Sequence, residues 1–562
     1  MKRILFHSNG AKAFTGFGKN AKNILRYLHK TGKYEVIEFV NGTQWNHPSL
    51  QLRPWKAQGS LPNNPAALQA LNQDPQKARS AGYGAECIDA AIKEYKPDIY
   101  IGCEDIWAFG GYWEKPWWDK INHMIWTTLD SQPILPQAVE AAPKTKNFYA
   151  WASFAERDLK EMGHDHVGTL HGSVGTEDFY RLSNQDRKEL RNKFGLSDEF
   201  IVGFVFRNQL RKSVPNMLEG FKIFKQDCPK AKLLLHTHWS EGWDIPRLIE
   251  EKGLKKEDIL TTYFCSACGE YEVRPFTGQE QNCRFCGTEK SLNTTNVKAG
   301  VDEGQLNEIY NLMDVYCHPF TSGGMEIPIF EAKMTELVTL VTNYSCGEDS
   351  STTESGSFPL DWSEYREPGT QFIKASTYPS SIAKQLKKVW QMDDFKRLQM
   401  GQKGREWTIN NYSTEAVGKK LEEILDAMPD VDYDFNWDKE EKRGTNLQDL
   451  LDDGKRIAVV MPQSAGDVLW INSLMNNMKK MYPEFDIYVF TEPQFFDYIE
   501  DHPAVHKVLP YSEQIDSLLF LEGSRNHKGF FDMAFLPHCN TQKILTYTHN
   551  GLDETQFELY EN

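Results

Sequence analysis

Nowhere in its 562 residues does the sequence gather the ~18 consecutive apolar residues that a membrane-spanning helix needs. Its opening, "MKRILFHSNG", offers only Ile4, Leu5 and Phe6 as an apolar run, too short for a secretory leader, so a cytoplasmic protein is expected. Cysteine is scarce. Ten in a chain of this length make no disulfide framework, which points to a reducing compartment. Positive charge is also in deficit, 63 Lys and Arg against 79 Asp and Glu, for a formal net charge of -16. That balance excludes a surface that binds polyphosphate everywhere and leaves room only for a local basic groove. Internal repeats of fixed period and low-complexity tracts are absent.

What is present is a rhythm of strands and helices. "RILFHSNG", "AFTGFG", "KNAKNILRYLHKTG" and "YEVIEFV" read as strand, glycine loop, amphipathic helix and strand, a βαβ unit. Further strand-like runs recur at "DIYIGCE", "HMIWTTLD", "FYAWAS", "FIVGFVF", "KLLLHTH", "VYCHPF" and "LVTLVT", mostly followed by helical periodicity. Such alternation predicts an α/β protein with parallel sheets covered on both faces. The expected organisation is a Rossmann-like domain over 1–180, a second over 195–375, buttressing helices over 376–428, an acidic linker over 429–454, and a third small α/β domain over 455–562.

In an open parallel sheet, ligands bind beyond the carboxyl ends of the strands, where helix N-termini offer unpaired N–H groups to an anion. "SGGMEIPIFEA" reads as such a junction: Gly323 and Gly324 let backbone approach a ligand, and Glu331 is placed to accept from a hydroxyl pair such as a ribose. The alternative reading of Glu331 is an ordinary exposed helix residue.

"LNEIYNLMDVYCHPFTSGGMEIPIFEAKMTELVTLVTN" resembles the nucleotide-sugar-binding segment of the large retaining GT-B glycosyltransferase family that includes glycogen-synthase-like, sucrose-synthase-like and bacterial mannosyltransferase enzymes. Tyr310, Asp314, Pro319, Pro328, Glu331 and Ala332 fall in register, and Glu331 matches the family's second glutamate, used on the donor ribose. The first glutamate, which lies near the transferred sugar, is replaced by Gly323, with Glu326 three residues on. "FIVGFVFRNQLRKSVPNMLEGFKIF" resembles the family's strand, Arg, five-residue step to Lys, and helix, with Arg207 and Lys212 at the two basic positions. Two cations there answer the charge that builds on a departing nucleoside diphosphate.

"AFTGFGKNAKNIL" resembles the family's first glycine loop, in which Gly16 and Gly18 line the cleft near the donor phosphates. "AWASFAERDLKEMG" and "LHGSVGTEDFY" resemble segments that precede the crossing into the second domain. Asp130, in "WTTLDSQPIL", is expected either to orient the attacking hydroxyl or to cap a helix. Trp107, Trp113, Trp117 and Trp118 either stack on a sugar or base or fill a core.

Cys265-x2-Cys268 and Cys283-x2-Cys286, each pair followed by glycine, have the spacing of a zinc ribbon, here an insertion over 262–292. Four thiolates leave no open coordination position, so a structural Zn2+ is expected, as a staple or as a recognition module for nucleic acid or protein. "IAVVMPQSAGDVLWINSLMNNMKKMYPEFDIYVFT" resembles the acceptor-side half of the heptosyltransferase family, with Gly466 and Asp467 opening its first helix. The expected roles of this half-domain are interaction, homo-oligomerisation or acceptor handling, and Asp467 reads as packing.

Together these resemblances imply a glycosyltransferase that moves a sugar, hexosyl or pentosyl, from a nucleoside-diphosphate sugar, a UDP-sugar first, to a hydroxyl with retention and without a catalytic metal. Catalysis is assigned to Arg207, Lys212 and Asp130, and donor binding to Gly16, Gly18, Arg207, Lys212 and Glu331. The mosaic resembles transferases of large tailed phages and of envelope-glycan loci, so the acceptor is either a hydroxymethylated base in DNA or a glycan, in the host cytoplasm if phage-encoded. A non-catalytic nucleotide-sugar-binding or scaffold protein is the alternative.

Overall fold

The computed structural model describes residues 1–433 except 14 and 297–299, and residues 447–538 except 463, 513–514, 517–518 and 520–529. Parts of two expected segments, 434–446 of the linker and 539–562 of the third domain, lie outside the described residues. The chain divides into two compact units, Met1–Trp437 and Asp438–Asn562.

The first unit contains two doubly wound lobes. In the N-terminal lobe, β1 (Lys2–Ser8), β2 (Tyr34–Gln44), β3 (Lys56–Leu61), β4 (Ile99–Gly102), β5 (Asn122–Thr127), β6 (Asn147–Ala150) and β7 (Gly168–Thr169) form one parallel sheet in the order β3-β2-β1-β4-β5-β6-β7. The helix Gly16–Thr31 shows why the first βαβ unit forms. Ala21, Ile24, Leu25 and Leu28 recur on one face and are buried, Thr15 accepts from Gly18 N at the start, and Gly32 ends the helix in the left-handed region at φ 66.

The second lobe is built on β8 (Phe200–Val205), β9 (Ala231–His236), β10 (Ile259–Cys265), β11 (Tyr271–Pro275), β12 (Glu280–Gln281), β13 (Leu292–Thr294), β14 (Val315–His318), β15 (Thr339–Thr342) and β16 (Ser357–Leu360). Its parallel core runs β10-β9-β8-β14-β15-β16. The cysteine-bearing insertion contributes β11, β12 and β13, antiparallel, at the β10 edge. Every residue of β4, β8, β14 and β15 is buried, as strands covered on both faces must be.

A hairpin of β17 (Trp362–Arg366) and β18 (Ile373–Thr377), which no strand-like run in the sequence announces, stands apart from the main sheet. Its residues are largely polar, exposed at Glu364–Arg366 and buried at Lys374, Ala375 and Thr377, so it has no apolar alternation to betray it. Ile373 bridges to Gln132 of the other lobe.

The chain returns to the first lobe in the helix Thr414–Ala427, whose Val417, Leu421 and Leu425 join Ile24, Leu25 and Leu28 in one core cluster. The close approach needs Gly418, where a Cβ would sit 2.6 Å from the Tyr27 ring. The outward and return crossings are hydrogen-bonded to each other, Val174 N donating to Tyr412 O at 2.8 Å beside a Val174–Ser413 bridge.

The second unit has a parallel sheet, β21 (Lys507–Pro510), β20 (Phe485–Thr491), β19 (Lys455–Val460) and β22 (Met533–Phe535), ordered β21-β20-β19-β22. The helix Ala465–Met481 buries Val468, Ile471 and Met475, and Asp467 is engaged locally, accepting from Ser464 Oγ at 2.8 Å. No described helix is long and apolar enough to cross a membrane.

Removing Leu421 from the shared core, by Leu421→Ala, is expected to cost about 2–5 kcal/mol in urea unfolding of the first unit, the range for deleting a fully buried leucine. An unchanged midpoint would show that the returning helix does not hold the lobe.

Candidate active site

Strand order reverses between β1 and β4 in the first lobe and between β8 and β14 in the second, so loops diverge there and leave a crevice. The loops after β8 and β14 bring together a buried charge cluster. Glu326, at the N-cap position of the helix Ile327–Met334, accepts from Arg211, from Lys212 and, at 3.0 Å, from His318 Nε2. Burial works to raise the Glu326 carboxyl, and Arg211 and Lys212 overcome it, holding it well below the usual carboxylate range.

Burial and the neighbouring Arg211 push the Lys212 ammonium down to about 8, although Glu326 opposes them. His318 is pushed down to about 4 by burial and is neutral. A carboxylate only accepts, so Nε2 carries the proton; Nδ1 lies 2.7 Å from the Tyr316 hydroxyl, which is also 3.0 Å from the Val205 carbonyl that accepts from it.

The glycine at 323 has a steric reason. A Cβ there would lie 2.6 Å from Glu326 Oε1 and 3.2 Å from Arg211 NH1. The space that a side chain on residue 323 would fill is taken by the carboxylate of Glu326. At Gly324 a Cβ would lie 2.4 Å from Thr128 Cβ and 2.8 Å from Asp130 Oδ1, so this turn abuts the first lobe.

Asp130 therefore stands at the mouth of the cleft. The helix that follows has Leu135, not Asp130, at its N-cap. Beside it Asp105 accepts from Thr128 Oγ1 at 2.6 Å, and Glu104 accepts from Asn41 Nδ2 at 3.0 Å. Burial pushes Glu104 up to about 8 and Asp105 up to about 6. At neutral pH Glu104 is thus protonated and able to donate, whereas Asp105 is ionised. Trp107, half-buried two residues on, packs at 4.8 Å against Tyr83 and at 4.2 Å under Arg79.

Glu331 is buried, and both oxygens are engaged: Oε1 with Lys19 Nζ at 2.6 Å across the lobes, Oε2 with the Tyr310 hydroxyl at 2.8 Å. Lys19 belongs to the helix Gly16–Thr31, whose first turn, Gly16–Gly18, expected as a loop, is helical because Thr15 caps it. Gly16 faces Ile327, 3.3 Å from where its Cβ would be, and Gly18 leaves no room for one, which would meet Ala13 O at 2.4 Å. Lys374, on β18, donates to Ser131 Oγ and Ser322 Oγ, both at 2.8 Å, one from each lobe.

Of the residues named from sequence, Lys212, Asp130, Gly16 and Glu331 border the cleft. Arg207 follows β8 as expected, but its half-exposed side chain pairs with Glu241 at 2.9 Å, and Arg211 is the residue beside Lys212 on Glu326. Trp113, Trp117 and Trp118 fill the core of the first lobe.

Sequence reasoning passed over Arg211, Glu104, Asp105, Lys19, His318 and Lys374. The first three had a signal: Arg211 is the neighbour of a motif lysine, and "CED" directly follows a strand at the switch point. Lys19 and His318 lie inside segments that sequence did single out, and Lys374 had none.

The Sγ atoms of Cys265, Cys268, Cys283 and Cys286 all lie within 4.8 Å of one another, with Cys265–Cys286 and Cys268–Cys283 at 3.8 Å. A tetrahedron with Zn–S bonds of about 2.3 Å has edges of about 3.8 Å, so the donors fit a closed structural zinc site. Gly269 and Gly287, left-handed at φ 77 and 73, close each knuckle by donating to Cys265 O and Cys283 O at 2.9 Å.

Two doubly wound lobes facing a cleft, with the last helix of the unit returned to the first lobe, constitute the GT-B fold. No protein-family model matches the sequence, and no curated protein matches it. Solved structures do. Sucrose-phosphate synthase from Thermosynechococcus elongatus aligns over 76% of this chain and 98% of its own, at 14% identity and TM-score 0.52. Anabaena HepE in complex with UDP-glucose aligns over 76% and 100%, at 11% identity and TM-score 0.52. The catalytic domain of starch synthase IV from Arabidopsis thaliana, bound to ADP and acarbose, aligns over 76% and 99%, at 12% identity and TM-score 0.50.

The full chain is expected to carry one zinc, read by atomic emission. Cys268→Ser should lose it and lower Tm by several degrees, because metal affinity is folding energy for such a module; a metal-free wild type of equal Tm would refute the assignment.

Proposed function

We propose that the protein is a glycosyltransferase that takes a sugar from a nucleoside-diphosphate donor, a UDP-sugar first, and transfers it with retention to a hydroxyl. The observation that carries this reading is the convergence of Arg211 and Lys212 at the N-terminus of the helix bearing Glu331, on the crevice side of a switch point. A buried lysine and a half-exposed arginine beside a helix N-terminus are an anion site in waiting, and Glu326 neutralises them while no diphosphate is bound. Support also comes from the UDP-glucose complex of HepE, a protein of the same fold.

In the proposed reaction the acceptor oxygen bonds to the anomeric carbon as the bond from that carbon to the phosphate oxygen breaks. The acceptor proton passes to the departing phosphate on the same face of the sugar. Arg211 and Lys212 hold the charge that develops there, and Arg207, at the edge of the same loop, exchanges Glu241 for phosphate. Each preorganised donor of this kind is worth about 2.7–4 kcal/mol. Glu331 takes the ribose hydroxyls, which requires Lys19 to give way, while the first turn of the Gly16–Thr31 helix, Gly16–Gly18, lies over the phosphates. Glu326, whose carboxylate fills the space beside Gly323, is assigned the part of the family's first glutamate near the transferred sugar.

The acceptor side is the floor formed by Glu104, Asp105 and Asp130, with Asp130 orienting the attacking hydroxyl. Carboxyls that accept and, in protonated Glu104, donate suit a neutral sugar; they repel a DNA backbone, as does the net charge of -16. A glycan is therefore preferred to a modified base. The zinc module is read as a staple.

Lys212→Ala is expected to lower kcat/KM for a UDP-sugar about 10²–10³-fold, the effect of deleting one such donor. UDP binding without turnover of any UDP-sugar in the wild type would make the chain a binding protein. Wild-type kcat/KM should also fall as pH rises through about 8, where Lys212 sheds its proton, and Lys212→Arg should abolish that fall. The fold should not be lost in the same window: the folded value lies below the ordinary 10.5, so between about 8 and 10.5 the unfolded chain binds the extra proton, and this group stabilises the fold as pH rises.

A further inference from the structure

At the other end of the second lobe's sheet, where β8 and β14 begin rather than end, lies a cavity of about 590 Å³. That size suits a small organic ligand. Its floor is fixed by Asp314, which accepts from Arg187 NH2 at 2.8 Å, Arg191 NH1 at 3.1 Å and Ile201 N at 2.8 Å. Arg187 and Arg191 are further tied to main-chain carbonyls, among them Met313 O and Leu196 O, so both are structural.

Two other guanidiniums line the cavity with less to hold them. Arg181 has no carboxylate partner among the described residues and only a 3.5 Å contact to Asn184 Oδ1. Burial, and Arg187 beside it, work against its charge. Arg397 pairs with Asp394, a residue whose side chain is 93% exposed and whose hold is correspondingly weak. Lys188 adds a third cation to the wall, and Phe395, 73% exposed, and Leu398 give it an apolar lip.

From this geometry we propose that the cavity is a second ligand site, for a small phosphate monoester, with Arg181 and Arg397 gripping the phosphate and the Phe395 lip covering its carbon skeleton. Guanidinium forks match phosphate oxygens in pairs, and a monoester dianion presents three of them. An extended polyanion is disfavoured because Asp198, Glu336 and Asp394 stand in the same wall. The site is separate from the donor cleft, yet one element touches both: the helix Ile327–Met334 carries Glu331 at the cleft and leads into Glu336 and Leu337 at the cavity, Glu336 being held at φ 60.

The test is calorimetric titration of the full chain with glycerol 3-phosphate and with inorganic phosphate, each with and without saturating UDP. Saturable binding of glycerol 3-phosphate that persists under UDP is expected. It should weaken at least tenfold in Arg181→Gln and in Arg397→Gln, with Arg181→Lys restoring part of the loss and Tm unchanged. Absence of saturable binding, displacement by UDP, or indifference to both substitutions would overturn the proposal. Inorganic phosphate binding as tightly as the ester would overturn the part given to the Phe395 lip. Because Arg181 and Arg397 take no part in the donor cleft, UDP binding should be the same in both variants. A failure of the donor reading thus remains distinguishable from a failure here.

Discussion

Two charges removed from water, Lys212 and Glu326, and a third at the cleft's edge, Arg211, hold the second lobe's loops in register. A buried ion pair is no source of stability in itself, since desolvation can exceed the Coulombic gain, but a charge left without its partner is ruinous. Once Glu326 is buried, both cations must come to it, which fixes the turn Leu210–Lys212 against the turn after β14. Gly323 must then be glycine, and the Gly323–Gly324 turn is set against Thr128 and Asp130 of the opposite lobe. The cleft's shape is thus a consequence of charge pairing as much as of apolar packing.

Much of this architecture was legible in the sequence because parallel sheets are written in long apolar runs. β4, β8, β14 and β15 needed no context to be recognised. The Gly16–Thr31 helix announced itself by spacing from Lys19 on, its first turn reading as a glycine loop, and the cysteine knuckles by number and interval. The site was legible in part. Lys212 and Glu331 belonged to patterns, and Asp130 to a strand end.

What sequence withheld was partnership. Nothing in the order of residues says that Arg207 would find Glu241 while Arg211 turns inward, because both are surface-type cations four residues apart on one loop. That the Glu326 carboxylate fills the space beside Gly323 is a fact of three-dimensional proximity. Lys374 and the β17–β18 hairpin were invisible for a different reason: their contacts, Ser131 and Gln132, are about 240 residues away in sequence and polar, outside the reach of any periodicity.

The paired crossings at Val174 and Ser413 have a mechanical meaning. Two chain segments, hydrogen-bonded side by side, join the lobes at one edge, while the cleft is spanned by the Lys19–Glu331 and Lys374 side chains and by the main-chain pairing of Ile373 with Gln132. Any parting of the lobes must therefore turn about this seam and first undo the Ile373–Gln132 pairing.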